Sequence, residues 1–120
     1  MLSRFTRIDS AALGVCLLIG IVVGCNSLPP SKPASRFTPE EAQGAEVFQA
    51  YCARCHYPTT TSGLHGPGLQ AITKVKALPS GAPPTDEHIM QIIRHGHGMM
   101  QPVPVKDEEM PYLLAYLHTL

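Results

Sequence analysis

Two cysteines and a histidine compressed into Cys52-Ala53-Arg54-Cys55-His56 limit what this chain can become more than any other feature. Three chemistries use such a cluster. A thioredoxin-like redox pair needs a βαβ setting, and no strand signal in the chain exceeds four residues. A structural zinc site needs four ligands in tetrahedral array. The chain has no second Cys-x-x-Cys, and its remaining histidines lack zinc-finger spacing. The third chemistry is C-x-x-C-H as the attachment sequence of a c-type haem. There the paired thiols become thioethers to the two porphyrin vinyl groups, and the histidine falls beneath the ring to reach iron. Covalent attachment also staples a fold whose own core is small. On this reading Cys52, Cys55 and His56 hold one covalently attached haem c. A zinc or disulfide cysteine pair in a structural lipoprotein is the competing use.

The remaining composition fits one modest domain. A length of 120 residues is too short for two. With 44% hydrophobic and 15% charged residues, the chain is no disordered polyelectrolyte. Nine basic residues balance nine acidic ones, so the basic footprint of a nucleic-acid binder is missing. There is no Gly-rich phosphate loop, no Gly-x-Ser-x-Gly and no His-Glu-x-x-His. Hydrolase, kinase and dehydrogenase readings therefore have little support. No small-molecule substrate and no enzymatic activity are expected.

The N-terminus reads as an address. Arg4 and Arg7 precede an apolar run from Ala11 to Gly24, the pattern of a secretory signal. Fourteen helical residues cover only about 21 Å, short of a ~30 Å hydrocarbon core, so a signal peptide is favoured over a permanent span. The run closes on Val22-Val23-Gly24-Cys25, which resembles a bacterial lipobox. The expectation is a signal peptide at 1–24, cleavage before Cys25, and lipidation of Cys25. Cys16 is disfavoured because it lies inside the run and follows the bulky Val15. Cleavage removes Arg4, Arg7 and Asp9, leaving seven basic against eight acidic residues. The mature protein is expected on the periplasmic face of a bacterial membrane, in an oxidising compartment.

Residues 25–38 then read as a lipidated N-terminus and flexible linker. NSLPPSKPASRFT holds three prolines and few large apolar side chains, and thirteen residues in polyproline II reach roughly 40 Å. Phe37 is the residue expected to pack on the domain if any does.

The domain is expected to occupy 39–120 and to be all-α, with three to four helices. Thr38-Pro39-Glu40-Glu41 forms a capping box with proline at the first helical position. It opens a helix to about Tyr51, whose apolar face takes in Ala42, Ala45 and Phe48 with Val47 and Tyr51 beside them. A short helix is expected over 69–78. Thr85 caps another, with Asp86 and Glu87 in its first turn, Ile89, Ile92 and Ile93 as the buried stripe, and Gly96 at its end. The last should run from about Glu108 to Leu120, with Pro111 confined to its first turn.

After the third helix stands Gly96-His97-Gly98-Met99-Met100-Gln101-Pro102. A thioether is a soft ligand that favours ferrous iron and raises its potential. From about residue 38 onward, the chain resembles a class I mono-haem c-type cytochrome of the exported bacterial lipoprotein form. Gly44, Phe48 and Cys52–His56 match the family's opening pattern, Gly66-Pro67-Gly68-Leu69 its segment after the haem motif, and Ala115-Tyr116-Leu117 its closing helix. The resemblance implies a haem packed among helices and a Pro67 carbonyl that orients the His56 imidazole. It also implies a first and last helix that cross with Gly44 and Phe48 against Tyr116. His56 and Met100 would be the two iron ligands. Met100 is followed by Gln101 before Pro102, and family spacing favours it over the alternative sixth ligand Met99. His95 or His97 could replace methionine as sixth ligand, but a solvated or helix-capping role is expected for both; His65, His88 and His118 are expected at the surface, Arg54 facing solvent, and Met90 and Met110 in the core.

These readings converge on a membrane-tethered carrier of single electrons between redox proteins. A haem enzyme or gas-binding sensor with a displaceable sixth ligand is the alternative.

Overall fold

The computed structural model describes residues 27–120. The expected signal segment 1–24 and the lipidation site Cys25 lie outside the described residues. Helix α1 spans Pro39–Tyr51. Its start is fixed by reciprocal bonds: Thr38 Oγ1 accepts from the Glu41 N–H at 3.3 Å, and the Thr38 N–H donates to Glu41 Oε2 at 2.8 Å, satisfying two donors the helix leaves orphaned. The buried face is Gly44, Val47 and Phe48. Ala42, expected on that face, is exposed, because the side of α1 turned inward is centred on Gly44.

Helix α2 spans Asp86–His95. Thr85 accepts from the His88 N–H at 3.3 Å, and Ile89 and Ile93 are buried. Helix α3 spans Met110–Leu117, shorter at both ends than its apolar pattern suggested. Before it, the Glu109 and Met110 N–H groups both bond the Lys106 carbonyl, a turn that brings Pro111 into the first helical turn, where its missing N–H is not needed. Beyond Leu117 the bonding tightens to i→i+3, from Thr119 to Tyr116 and Leu120 to Leu117.

The helix expected over 69–78 does not form. Two turns replace it, Ile72 bonding Leu69 and Lys74 bonding Ala71. Ala71 has φ +56° and is fully buried. A left-handed residue cannot continue a right-handed helix, so the apolar pattern there serves core contact without helical periodicity. Among the described residues the fold is thus three α-helices, a 3-10 turn at Ala34–Arg36 and no strand, with one isolated bridge between His97 and Met100.

Helices α1 and α3 cross closely. A Cβ on Gly44 would strike the Tyr112 carbonyl and Tyr116 Cβ, so only glycine allows the backbones to meet. Phe48 and Tyr116 stack at the crossing, ring centroids 5.3 Å apart and tilted by 56°. Met110, Leu113, Leu117 and Leu120 complete the core with Leu78, Ile89, Ile93 and Val105. Phe48 is wholly buried, worth about 1.5–3 kcal/mol relative to exposure.

The stretch that reads as tether is fastened from Pro29 onward. Gln70 Nε2 donates to the Pro29 carbonyl at 3.1 Å, and the Lys32 N–H donates to the Thr119 carbonyl at 2.6 Å. Lys32 Nζ grips both Glu41 oxygens at 2.9 and 2.6 Å. The Phe37 ring meets Tyr116 edge-on at 5.7 Å. The Lys32 ammonium, and after it the Thr38 N–H, hold the Glu41 carboxyl below the usual carboxylate range. No helix among the described residues is long and apolar enough to cross a membrane.

Candidate haem site

Helix α1 delivers Phe48 to the core and then unwinds into the motif. Cys52 caps it, its N–H bonding the Phe48 carbonyl at 2.8 Å. One further turn follows, with the Cys55 and His56 N–H groups both bonding the Cys52 carbonyl at 3.0 Å. That turn sets two free thiols and an imidazole side by side in the chain. Cys52 is half-buried and Cys55 exposed. Burial, and secondarily the neighbouring Cys55, push the Cys52 thiol up to about 11, so it is protonated at neutral pH.

The loop after the motif is laced back onto it. The Gly66 N–H donates to the Cys55 carbonyl at 2.8 Å, and the Leu69 N–H to the Tyr57 carbonyl at 2.9 Å. This lacing brings the Pro67 carbonyl to 2.8 Å from His56 Nδ1. A carbonyl can only accept, so Nδ1 carries the proton, and the lone pair of the neutral ring lies on Nε2. A metal-binding histidine is oriented in this way by the bond its other nitrogen makes. Gly66 matters as well: a Cβ there would run into the His56 ring at Cε1, Nδ1 and Nε2. Sequence reasoning gave Pro67 a role and left Gly66 as a motif match. A glycine directly before the orienting proline was the available signal.

On the second candidate side, α2 ends at Gly96, whose N–H bonds the Ile92 carbonyl at 2.8 Å. His97 and Met100 then exchange two backbone bonds of 3.0 Å, closing a two-residue turn with Gly98 at φ +59° as its first central residue, the glycine position of a type II′ turn. Met99 sits at the tip and is 92% exposed. Met100 is half-buried. The chain returns to α2 through a 2.8 Å bond from the Val103 N–H to the Ile93 carbonyl. His95 and His97 are exposed.

Two of the other histidines have local partners. His118 Nε2 lies 2.7 Å from Asp86 Oδ1, and His88 Nδ1 lies 2.9 Å from Thr85 Oγ1. His65 and Arg54 are exposed. Among the described residues, no three His, Cys, Asp or Glu side chains converge as a zinc site would require.

The donor set fits a covalently held haem. Two thiols lie one turn apart, an imidazole has its Nε2 lone pair free, and a glycine cradles that ring where any side chain would collide. A family model described as cytochrome C oxidase, cbb3-type, subunit III, matches residues 39–117, from the first residue of α1 to the last of α3. A search among curated proteins finds no match.

Proposed function

The chain belongs to the cbb3-type cytochrome c oxidase subunit III family, a family of c-type cytochrome domains, and from that premise we propose that it is a membrane-tethered carrier passing one electron at a time between redox proteins. The domain is an all-α mono-haem c-type cytochrome with covalently bound haem c, and such domains transfer electrons through the haem.

In the proposed site, Cys52 and Cys55 supply the thioether sulfurs. His56 would offer Nε2 and Met100 its thioether to the haem iron. When bound, the haem supplies an iron that cycles between ferric and ferrous states. The protein's part is to hold both ligands through that cycle. The Pro67 carbonyl fixes the His56 tautomer and ring plane, and the paired bonds between His97 and Met100 fix the backbone of the second ligand. Two ligands whose positions are fixed by the protein would rearrange little between oxidation states. Thioether ligation favours the reduced state and raises the potential. Lipid on Cys25 would keep the carrier at the periplasmic face of the membrane, with membrane or periplasmic proteins as donor and acceptor. Redox encounters of this kind bury small areas.

The observation that carries this reading is the 2.8 Å approach of His56 Nδ1 to the Pro67 carbonyl, since it prepares the other ring nitrogen as a ligand beside two thiols. Carbon monoxide tests it. The spectrum of the reduced protein is expected to be unchanged by the gas, because His56 and Met100 would both remain bound. A shifted Soret band would mean a displaceable sixth ligand and would favour the gas-binding or enzymatic alternative.

A further inference from the structure

We propose that residues 29–37 are a strap fixed to the domain rather than tether, so that Cys25 holds the haem domain against the bilayer on a short leash. The inference rests on the lipid-anchor reading above and goes beyond it by setting the length of the leash.

The strap is fastened on three sides. At its start, the Pro29 carbonyl takes a hydrogen bond from Gln70 Nε2. In the middle, Lys32 bonds the Thr119 carbonyl beyond α3 through its N–H and Glu41 on α1 through its ammonium. At its end, the Arg36 and Phe37 N–H groups close the 3-10 turn, and the Phe37 ring stands at 82° to Tyr116. Singly these contacts are small, since neither a partly exposed ion pair nor an edge-on aromatic pair contributes much by itself. They act on one nine-residue segment, however, whose freedom is already reduced. Pro29, Pro30 and Pro33 each fix φ in the undocked chain, so docking sacrifices less entropy. The proline content that resembles a linker is thus what favours the docked strap.

The consequence is geometric. A thirteen-residue linker could reach roughly 40 Å. With the strap docked, four residues from Cys25 to Leu28 remain, spanning at most about 14 Å. The strap begins at Pro29, whose carbonyl is held by Gln70. A carrier so held can drift in the plane of the bilayer but cannot reach a partner standing well above it. The short leash also raises its effective concentration for a partner in that plane.

The test uses full-length, lipidated holoprotein in vesicles of phosphatidylethanolamine and phosphatidylglycerol carrying a headgroup fluorophore. The haem quenches that emission by energy transfer when it lies close. Inserting about ten Gly/Ser residues between Leu28 and Pro29, enough to roughly double the r.m.s. span of the leash, is expected to reduce quenching about twofold. Unchanged quenching would overturn the proposal. Trypsin supplies the second readout, since the Lys32-Pro33 bond resists it and the Arg36-Phe37 bond does not. Lys32→Ala with Phe37→Ala is expected to speed cleavage after Arg36 by about tenfold or more, as local opening sets the rate, with the haem spectrum unchanged. Equal rates in parent and variant would also overturn it. Should the double variant lose its haem, Lys32→Ala alone gives the same comparison. Protein that fails to float with the vesicles contradicts the lipid anchor instead, and cleavage after Arg36 then still decides whether the strap is docked.

Discussion

Met100→Ala is expected to turn a closed haem into an open one. The reduced variant should bind carbon monoxide, which the parent should not. Its potential should fall by roughly one to three tenths of a volt, within the ~0.8 V range that axial ligands command. Met99→Ala should change neither property appreciably. The two neighbours differ in the turn that carries them. Met99 occupies the tip of the two-residue turn and is 92% exposed, whereas Met100 is half-buried and tied at its backbone to His97 in both directions. The reverse ordering of the two variants would transfer the ligand role to Met99.

The second large effect concerns the scaffold. Gly44→Ala is expected to destabilise the holoprotein by about 2–4 kcal/mol, lowering the melting temperature by roughly 10 °C or more in a domain of this size. A Cβ at position 44 would meet the Tyr112 carbonyl carbon at 2.6 Å and Tyr116 Cβ at 2.8 Å. Neither is the loose end of a side chain, so α1 and α3 would have to separate. Separation would loosen Tyr116 from Phe48 and Phe37, and with it the base of the turn that carries Cys52. The gain in helix propensity from alanine, about 1 kcal/mol, does not offset this. Gly81→Ala is the control: open space surrounds that position, and its φ of +84° leaves only backbone strain of about 1–2 kcal/mol. Thermal unfolding followed by haem absorbance measures both. A neutral Gly44→Ala would contradict the crossing described above.

Much of the scaffold was legible because local chemistry and tertiary need coincide. Thr38 and Thr85 cap helices at the positions their sequences announce, and Gly96 ends α2. The closing apolar pattern places Met110, Leu113 and Leu117 in the core. Where the two part, the sequence misleads. Residues 69–78 are apolar enough for a helix, yet Ala71 adopts a left-handed conformation because its buried place in the core outweighs its helical preference. Residues 29–37 look like linker, since prolines and serines bury little. Their contacts come instead from the Pro29 carbonyl, the Lys32 N–H and ammonium and the single aromatic Phe37, which composition cannot register. The candidate haem site follows the same division. The thiols and His56 are adjacent in the chain and therefore visible in it, and Pro67 came only through family resemblance. That Gly66 must lack a side chain because the His56 ring lies against it is a through-space fact. So is the contrast between an exposed Met99 and a half-buried Met100.

Intact-mass spectrometry of the natively exported polypeptide, made in a host with working haem-maturation machinery, addresses the central claim most directly. One haem added covalently to the mature chain is expected, with neither Cys52 nor Cys55 available to a thiol reagent. A polypeptide carrying no haem and two free thiols at those positions would contradict it.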